Sequence, residues 1–387
     1  MTLLPAAEWT GREDLAQLVE ALGADNVRWV GGAVRDTMLG LRVKDIDAAT
    51  THRPEEVVAR CKAAGIRTVP TGIAHGTVTA LLAQGPVEVT TLRRDVATDG
   101  RRATIAFADD WREDAARRDF TINALYAHPQ TLAVSDYFGG LADLNDRRVR
   151  FIGDARQRIA EDHLRILRYF RFQARFGATV DAEAEAACAD LAATLKGLSR
   201  ERVAAELLAI LSLSDPLATV ERMLDLGVLP VVLPEGSLTG LAQLLASERQ
   251  FAAPPVALRR LAALLLPDPP LVDKVAARLK LSTAQRKHLA TLAARKADDG
   301  VRPKALAYRV GLDAARDRLL LTGHDPRPLH GWTVPQLPLK GGEIVARGIG
   351  AGPDVNRILR AVEARWVAEG FPDRVRVEQL LAEELPA

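Results

Sequence analysis

Cysteine is scarce in this chain of 387 residues, which contains only Cys61 and Cys188. The two stand far apart in sequence, so they do not have the short spacing that is typical of a cysteine metal site. A disulfide framework is not expected either, because a chain of this length can bury two or three hydrophobic cores of its own. Isolated, reduced thiols are typical of a cytoplasmic protein.

Long apolar runs are also missing. The first residues, "MTLLPAAEWTGRED", have neither the basic segment nor the apolar stretch of a signal peptide. The apolar stretch "LAALLLPDPPL" is interrupted by prolines well before it reaches the length needed to cross a bilayer. We therefore predict a soluble, cytoplasmic protein with no membrane partner.

An excess of one charge is absent, since 52 Lys and Arg residues stand against 50 Asp and Glu residues, for a net charge of +2. This excludes a chain that is basic throughout and directs attention to how the charges are distributed. Nine arginines fall between residues 147 and 175, with only Asp154, Glu161 and Asp162 to balance them. Such a local excess is a candidate binding site for phosphates or for an RNA backbone.

The composition changes near residue 150. Before it, β-like segments such as "VRWV", "DIDAAT" and "VEVTTL" alternate with helical patterns, one of which begins at Pro54. After it, Ala, Leu, Arg and Glu recur at helical spacing, as in "SRERVAAELLAIL", where Ser199 is the expected N-cap. The pattern predicts an α+β head followed by an all-helical remainder.

Two aspartates, Asp45 and Asp47, are separated by one isoleucine in "KDIDAAT". Alternate residues of a strand face the same side, so we expect both carboxylates to point together. Hard oxygen ligands of this kind suit Mg²⁺, although a lone D-x-D is also compatible with a solvated strand edge. Glu88, between valines in "VEVTTL", is a candidate third carboxylate on a neighbouring strand, as two-metal phosphoryl transfer would need.

A glycine pair, Gly31 and Gly32, lies between the "VRWV" segment and a predicted helix. The free amides at a helix start can bind a phosphate, and Arg35, one turn further, can add a charged contact. A tight turn with a solvated arginine is the alternative interpretation of this pattern. Beside the aspartates, the glycines favour a triphosphate held over bound metal ions.

These residues resemble the nucleotidyltransferase superfamily that shares a head fold with DNA polymerase β. Longer segments narrow the resemblance, among them "EVTTLRRDVATDGRRA", "EDAARRDFTINALY" and "GDARQRIAEDHLRILRYFRFQARFG". Together, and in this order between about residues 27 and 176, they resemble class II tRNA nucleotidyltransferases, the CCA-adding enzymes, and their relatives the bacterial poly(A) polymerases. The resemblance implies a catalytic head with a mixed sheet over residues 1–148, a helical neck that selects the base over 149–210, and a tRNA-binding body and tail over 211–387.

The resemblance also implies roles for particular residues. Asp45 and Asp47 would hold Mg²⁺, the RRD segment would contact the sugar and phosphate of CTP or ATP, and the EDxxR segment would select the base. The residues so assigned to nucleotide binding are Arg118, Asp119 and Asn123 from the first segment, and Asp162, Arg165, Arg168 and Arg171 from the second and the helix after it. The partner would be the 3′ acceptor end of tRNA.

Base selection by Asp162 and Arg165 has a physical basis, because residues three apart on one helix form a single acceptor–donor edge. A carboxylate accepts from an exocyclic amino group, and a guanidinium donates to a ring nitrogen. Cytosine and adenine present an amino group beside such an acceptor, whereas uracil and guanine present a carbonyl beside an N–H. On the same predicted helix Arg171 lies about half a turn away, so we expect it against phosphate or in packing.

Three functions remain open at this point. The segment "TLRRDVATDGRRATIAF" contains the turn signal TDG, for which a plain surface hairpin is one interpretation. Relatives that complete CCA carry a flexible loop there and relatives that add only the two C residues lack it, so the resemblance favours full C, C and A addition. A poly(A) polymerase of the same family would share every catalytic residue. A catalytically silent RNA-binding protein is the alternative from another class, and the intact D-x-D argues against it. The sequence does not indicate an oligomeric state.

Overall fold

The computed structural model describes residues 2–99 and 102–385. The chain forms two compact units, one of Met1–Glu206 with Glu221–Val232 and the other of Leu207–Val220 with Leu233–Ala387. The predicted division of roles at residues 148 and 210 stays a prediction. In the described part of the chain, no helix is both long enough and apolar enough to cross a membrane.

The first unit is built on a mixed sheet of seven strands in the order β3-β4-β5-β2-β1-β8-β9. A separate hairpin pairs β6 with β7. The predicted turn TDG ends at Gly100, and Gly100 and Arg101 lie outside the described residues. The predicted segments "VRWV", "DIDAAT" and "VEVTTL" all contribute strands to the seven-stranded sheet. The strands are β1 (Val27–Val30), β2 (Ile46–Thr50), β3 (Arg67–Gly72), β4 (Thr77–Leu82), β5 (Gly85–Thr91), β6 (Arg93–Asp99), β7 (Arg102–Phe107), β8 (Leu125–Ala127) and β9 (Val134–Asp136).

The helices of the first unit begin where the sequence supplies caps or an N-terminal proline. Pro54 occupies the first turn of α3, and the Asp154 side chain accepts a hydrogen bond from the Gln157 amide at the start of α6. The helices are α1 (Glu13–Leu22), α2 (Gly32–Met38), α3 (Pro54–Ala63), α4 (Trp111–Ala116), α5 (Gly140–Asn145), α6 (Ala155–Glu161), α7 (Arg165–Phe176), α8 (Ala182–Asp190) and α11 (Leu229–Val232). Two more, α9 (Arg200–Leu211) and α10 (Leu217–Asp225), contribute residues to both units.

A buried aromatic cluster fixes α7 against the segment that follows α4. The Phe120 ring lies 4.9 Å from that of Phe151 and 5.1 Å from that of Phe172, and the Tyr169 ring stacks on Phe151 at 5.8 Å. Such ring pairs stabilise a fold beyond the area they bury. The cluster therefore holds the arginine-bearing face of α7 beside the RRD segment.

The second unit is all-helical in the residues that the structure describes. A buried carboxylate, Glu248, accepts hydrogen bonds from Arg259 at 2.6 Å and from Arg260 at 2.7 Å. A hydrophobic cluster around Trp366 joins the last three helices. The helices are α12 (Leu238–Gln250), α13 (Ala257–Leu264), α14 (Pro269–Arg278), α15 (Thr283–Ala293), α16 (Pro303–Val310), α17 (Leu312–Leu321), α18 (Gly341–Val345), α19 (Pro353–Ala368) and α20 (Arg374–Glu384).

Candidate active site

The two aspartates lie at the start of the central strand β2. Asp47 is its second residue, whereas Asp45 precedes the first, so the expectation that both belong to one strand is wrong by one residue. Both side chains nevertheless line the same cavity. Strand β5 runs parallel to β2, and Glu88 lies opposite Asp47 in the register. Glu88 is exposed and is not among the residues that line this cavity.

The surroundings of Asp47 disfavour the ionised form of its carboxyl group. Burial raises the pKa of this half-buried carboxyl, and the charges on Glu88 and Asp45 raise it further, while Arg118 lowers it. Acidic groups that repel one another in this way are stabilised when a cation comes between them. Among the described residues, no group of three or more His, Cys, Asp and Glu side chains could hold a metal ion.

Gly31 and Gly32 form the turn from β1 into the seven-residue helix α2. Gly31 has a φ of +67°, a conformation that favours glycine, and a β-carbon there would lie 3.5 Å from the Arg118 guanidinium. Arg35 is buried, which lowers its pKa, and it forms an ion pair with Asp36 at 2.6 Å. Arg35 also donates a hydrogen bond to the Asn123 side-chain oxygen at 2.5 Å.

Arg118 is held by a buried acid and a phenol. Its Nε donates to the Tyr126 hydroxyl at 3.0 Å, and a terminal nitrogen donates to Asp114 at 3.2 Å. The Tyr126 hydroxyl in turn donates to Asp114 at 2.6 Å. Burial of Asp114 raises its pKa, but Arg118 and Arg117 outweigh this effect and lower it to about 2. Arg118 therefore has a fixed position at the cavity wall.

The Asp119 carboxylate is hydrogen-bonded to neighbouring residues rather than exposed to solvent. It accepts two hydrogen bonds from Arg168, at 2.8 and 2.5 Å, and one from the Asn123 side chain at 3.0 Å. Burial raises its pKa, yet Arg168 and Asn123 lower it overall. Since Asn123 also contacts Arg35, the RRD segment, α2 and α7 form one hydrogen-bonded network.

Asp162 and Arg165 do not lie on one continuous helix. The prediction that they form one edge because they are three residues apart on a helix is therefore wrong in its geometry. Helix α6 ends at Glu161, α7 begins at Arg165, and Asp162 has extended backbone angles. One Asp162 oxygen accepts from the Leu164 amide at 3.1 Å and the other from Arg202 at 2.6 Å. Arg165 donates to Glu161 at 2.6 Å and to the Arg117 carbonyl at 3.1 Å.

Arg171 is held by contacts with neighbouring side chains. Of the two positions expected for it, against phosphate or in packing, this is the second. Its Nε donates to Glu206 at 2.6 Å, and its guanidinium lies 4.8 Å from the centre of the Phe172 ring. Arg168 approaches the same glutamate at 3.9 Å. Glu206 thus holds two arginines of α7 against α9.

One open cavity of about 660 Å³ unites these segments. All the residues predicted for the site except Glu88 line it, and Arg117 and Phe172 line it as well. The sequence reasoning missed Arg202 and Glu206, the partners of Asp162 and Arg171. Their four-residue spacing in "RERVAAE" places them on one helix face, a signal that could have indicated a second polar strip facing α7.

Comparison with known proteins identifies the family. Residues 27–150 match the model for the poly A polymerase head domain, and residues 177–238 match the model described as the probable RNA and SrmB-binding site of polymerase A. The mitochondrial CCA tRNA nucleotidyltransferase 1 of Mus musculus is 36% identical over 96% of this chain and 89% of its own length. This chain belongs to the CCA tRNA nucleotidyltransferase family.

Other members of the CCA tRNA nucleotidyltransferase family are similar to this chain over nearly its whole length. The CCA-adding enzyme of Lacticaseibacillus paracasei is 30% identical over 95% of this chain and 94% of its own. The crystal structure of the Bacillus stearothermophilus CCA-adding enzyme in complex with CTP matches with a TM-score of 0.77 and 25% identity, over 96% of this chain and 97% of that one. The predicted α+β head with a helical remainder is confirmed.

Proposed function

We propose that this protein is a template-independent tRNA nucleotidyltransferase that adds C, C and A to the 3′ end of tRNA from CTP and ATP, with release of pyrophosphate. The observation that carries this proposal is a single cavity lined by the D-x-D, RRD and EDxxR segments. Similarity to CCA tRNA nucleotidyltransferases over nearly the whole chain supports the same activity.

The acidic end of the cavity would hold Mg²⁺. Mg²⁺ is commonly bound by one or two protein carboxylates together with substrate phosphates and water, so Asp45 and Asp47 are a sufficient protein contribution. The raised pKa of Asp47 fits this assignment, since a nearby cation would relieve its repulsion from Asp45 and Glu88. Bound Mg²⁺ supplies charge neutralisation and polarisation of phosphoryl oxygens. Glu88 remains a predicted third ligand.

The other residues that line the cavity would bind the nucleotide. Arg118, fixed by Asp114 and Tyr126, is suited to a phosphate. Asp119 and Asn123 line the cavity and would contact the ribose in exchange for part of the hydrogen bonds that they form with Arg168 and Arg35. Gly31 and Gly32 leave room for a triphosphate to approach the backbone at β1. Arg35 would act mainly by positioning Asn123, because its own guanidinium is buried.

Asp162 and Arg165 would read the Watson–Crick edge of the incoming base. In the structure Asp162 is hydrogen-bonded to Arg202, and Arg165 to Glu161. A base that binds here must therefore replace part of these hydrogen bonds. Cytosine and adenine can offer an amino donor to Asp162 and a ring acceptor to Arg165, while uracil and guanine cannot. A buried mismatch costs about 1–3 kcal/mol per unpaired group, which is enough to select the base without a template.

The activity is tested with tRNA transcripts that lack the CCA end and with each labelled triphosphate in turn. We expect incorporation of C, then C, then A, followed by arrest. A long A ladder on unrelated RNA would instead identify a poly(A) polymerase, and no incorporation with Mg²⁺ would leave only RNA binding. The two buried free cysteines are consistent with action in the reducing cytoplasm, which subcellular fractionation checks.

A further inference from the structure

A cavity of about 770 Å³ lies within the second unit. It is lined by the connection between α12 and α13, by α13, α15 and α17, and by the loop that follows α17. Its volume falls within the range of about 300–1,000 Å³ that is typical of sites for small molecules. We call it the α13–α17 cavity.

One part of the lining is apolar. Phe251, Ala253, Pro254 and Val256 come from the segment between α12 and α13, and Leu320 comes from α17. Phe251 and Ala253 pack on the buried cluster that contains Leu320, so this part of the lining is supported from behind. A ligand with an apolar body would be stabilised here by the removal of its surface from water.

Two buried charged residues of the lining, Arg259 and Asp317, belong to a closed network of ion pairs. Arg259 donates to Glu248 at 2.6 Å and to Asp317 at 2.8 Å, and Arg260 donates to Glu248 at 2.7 Å. The second Asp317 oxygen is hydrogen-bonded to His288 at 2.8 Å. Two arginines therefore face two carboxylates, and the network is already balanced in charge before any ligand binds.

Arg316 is the other arginine of the lining, and its charge is poorly matched. The carboxylate paired with it is Asp313, at 3.6 Å, and that side chain is 92% exposed. Exposed pairs of this kind contribute little. One terminal nitrogen of Arg316 donates to the Leu329 carbonyl at 3.0 Å, which fixes the side chain. Its Nε is buried and has no hydrogen-bond partner among the described residues.

These features define the chemistry of a ligand. A buried donor without an acceptor costs free energy, so an acceptor that reaches the Arg316 guanidinium would bind favourably. A carboxylate carries one charge and two oxygens that match the guanidinium fork. A phosphate monoester carries about 1.5–2 negative charges at pH 7, more than Arg316 alone can balance beside Asp313 and Asp317. His330, the remaining polar residue of the lining, is exposed.

We propose that the α13–α17 cavity binds a small organic carboxylate. Its apolar body would lie on Phe251 and Val256, and its carboxylate would be bound by Arg316. The site is formed by the second unit alone and uses none of the D-x-D, RRD and EDxxR residues, so it does not depend on the proposed nucleotide addition.

The test uses three probes that share one naphthalene ring, namely naphthoate, its neutral amide naphthamide, and naphthyl phosphate. Each is titrated against the full-length protein by equilibrium dialysis, with naphthalene fluorescence as the readout. The parent protein should bind naphthoate saturably and about tenfold or more tightly than naphthamide, because a hydrogen bond to a charged group is stronger than one between neutral groups. Naphthyl phosphate should bind less tightly than naphthoate.

Variants assign the binding to this cavity. Arg316→Gln should bring the Kd for naphthoate to within about twofold of that for naphthamide, a convergence that a general loss of structure would not produce. Val256→Phe, which occupies part of the apolar space, should weaken both probes by a similar factor. The control Arg286→Gln removes an arginine of α15 that pairs with Asp273 at 2.8 Å and does not line the cavity. It should bind both probes as the parent does.

Three results would overturn the proposal. The first is equal affinity of the parent protein for naphthoate and naphthamide, or no saturable binding of either. The second is naphthoate binding that Val256→Phe and Arg316→Gln leave unchanged, which would place the probe elsewhere on the protein. The third is tighter binding of naphthyl phosphate than of naphthoate, which would exclude a carboxylate as the preferred ligand.

Discussion

Asp47 and Glu88 lie opposite each other on the neighbouring parallel strands β2 and β5. Like charges placed directly across a strand pair destabilise a sheet. Here the repulsion adds to the effect of burial in raising the pKa of Asp47. The sheet therefore keeps two mutually repelling carboxylates beside the cavity that contains Asp45, an arrangement that favours binding of a divalent cation.

Glu88→Gln should stabilise the protein when no divalent cation is present. A carboxyl whose pKa is raised on folding costs stability once it ionises, so the gain should appear at neutral pH and vanish below about pH 4. We expect about 0.2–1 kcal/mol, seen as a higher Tm in EDTA at pH 7. Glu20→Gln, an exposed change on α1, is the control. If Glu88 is also a metal ligand, as predicted, Mg²⁺ will raise the Tm of the variant less than that of the parent. A variant whose Tm in EDTA equals that of the parent would show that Glu88 does not repel Asp47.

Asp47→Asn should abolish nucleotide incorporation and leave tRNA binding intact. Asparagine keeps the shape of the side chain but removes the charge that would hold Mg²⁺. Loss of even an indirect partner of a metal ligand typically costs 10–100-fold, so we expect a decrease in kcat/KM of more than about 100-fold. The check is labelled CTP incorporation beside filter binding of tRNA. Loss of tRNA affinity, or turnover close to that of the parent, would refute the metal role of Asp47.

Much of the head could be predicted because its signals are local. "VRWV", "DIDAAT" and "VEVTTL" have strand patterns, and Glu88 between two valines correctly indicated a carboxylate on the strand next to Asp47. The break between α6 and α7 was not predicted, because "AEDHLRIL" contains neither proline nor glycine. Asp162 makes the break by accepting from the Leu164 amide and from Arg202, and the second contact depends on a residue forty positions away.

Asp162→Ala should relax base selection rather than prevent catalysis. Without the carboxylate, no acceptor distinguishes the amino group of cytosine from the carbonyl of uracil. One lost discriminating contact is worth about 1–3 kcal/mol, so the ratio of kcat/KM for CTP to that for UTP should fall between about fivefold and 150-fold. Asp190→Ala removes another acid that pairs with an arginine, Arg156, at the end of α8, and should leave the ratio unchanged. An unaltered ratio in Asp162→Ala would exclude this residue from base reading.

Asp114→Asn should remove the ion pair that holds Arg118 in place. It should also remove a contribution to the free energy of unfolding that depends on the Asp114 carboxyl being ionised. The pKa of Asp114 is about 2 in the folded protein against 3.8 for an ordinary aspartate, a difference of about 2 kcal/mol. Because the folded pKa is the lower one, this stabilisation is present above about pH 4 and is lost as the pH falls toward 2. The variant should therefore be less stable than the parent by roughly 2 kcal/mol at pH 7 and nearly equal to it at pH 2, as measured by urea denaturation.

The same variant also tests whether Arg118 contacts the nucleotide. Asp114 is buried and accepts from Arg117, Arg118 and Tyr126, so it acts on the cavity by positioning the two arginines, which both line it. We expect the KM for both CTP and ATP to rise, while the ratio of their kcat/KM values stays constant, since a phosphate contact does not read the base. Asp109→Asn, at a carboxylate that is 94% exposed, should change neither stability nor KM. A variant that loses stability at pH 7 but keeps the parental KM would show that Arg118 needs no support from Asp114 to bind the triphosphate.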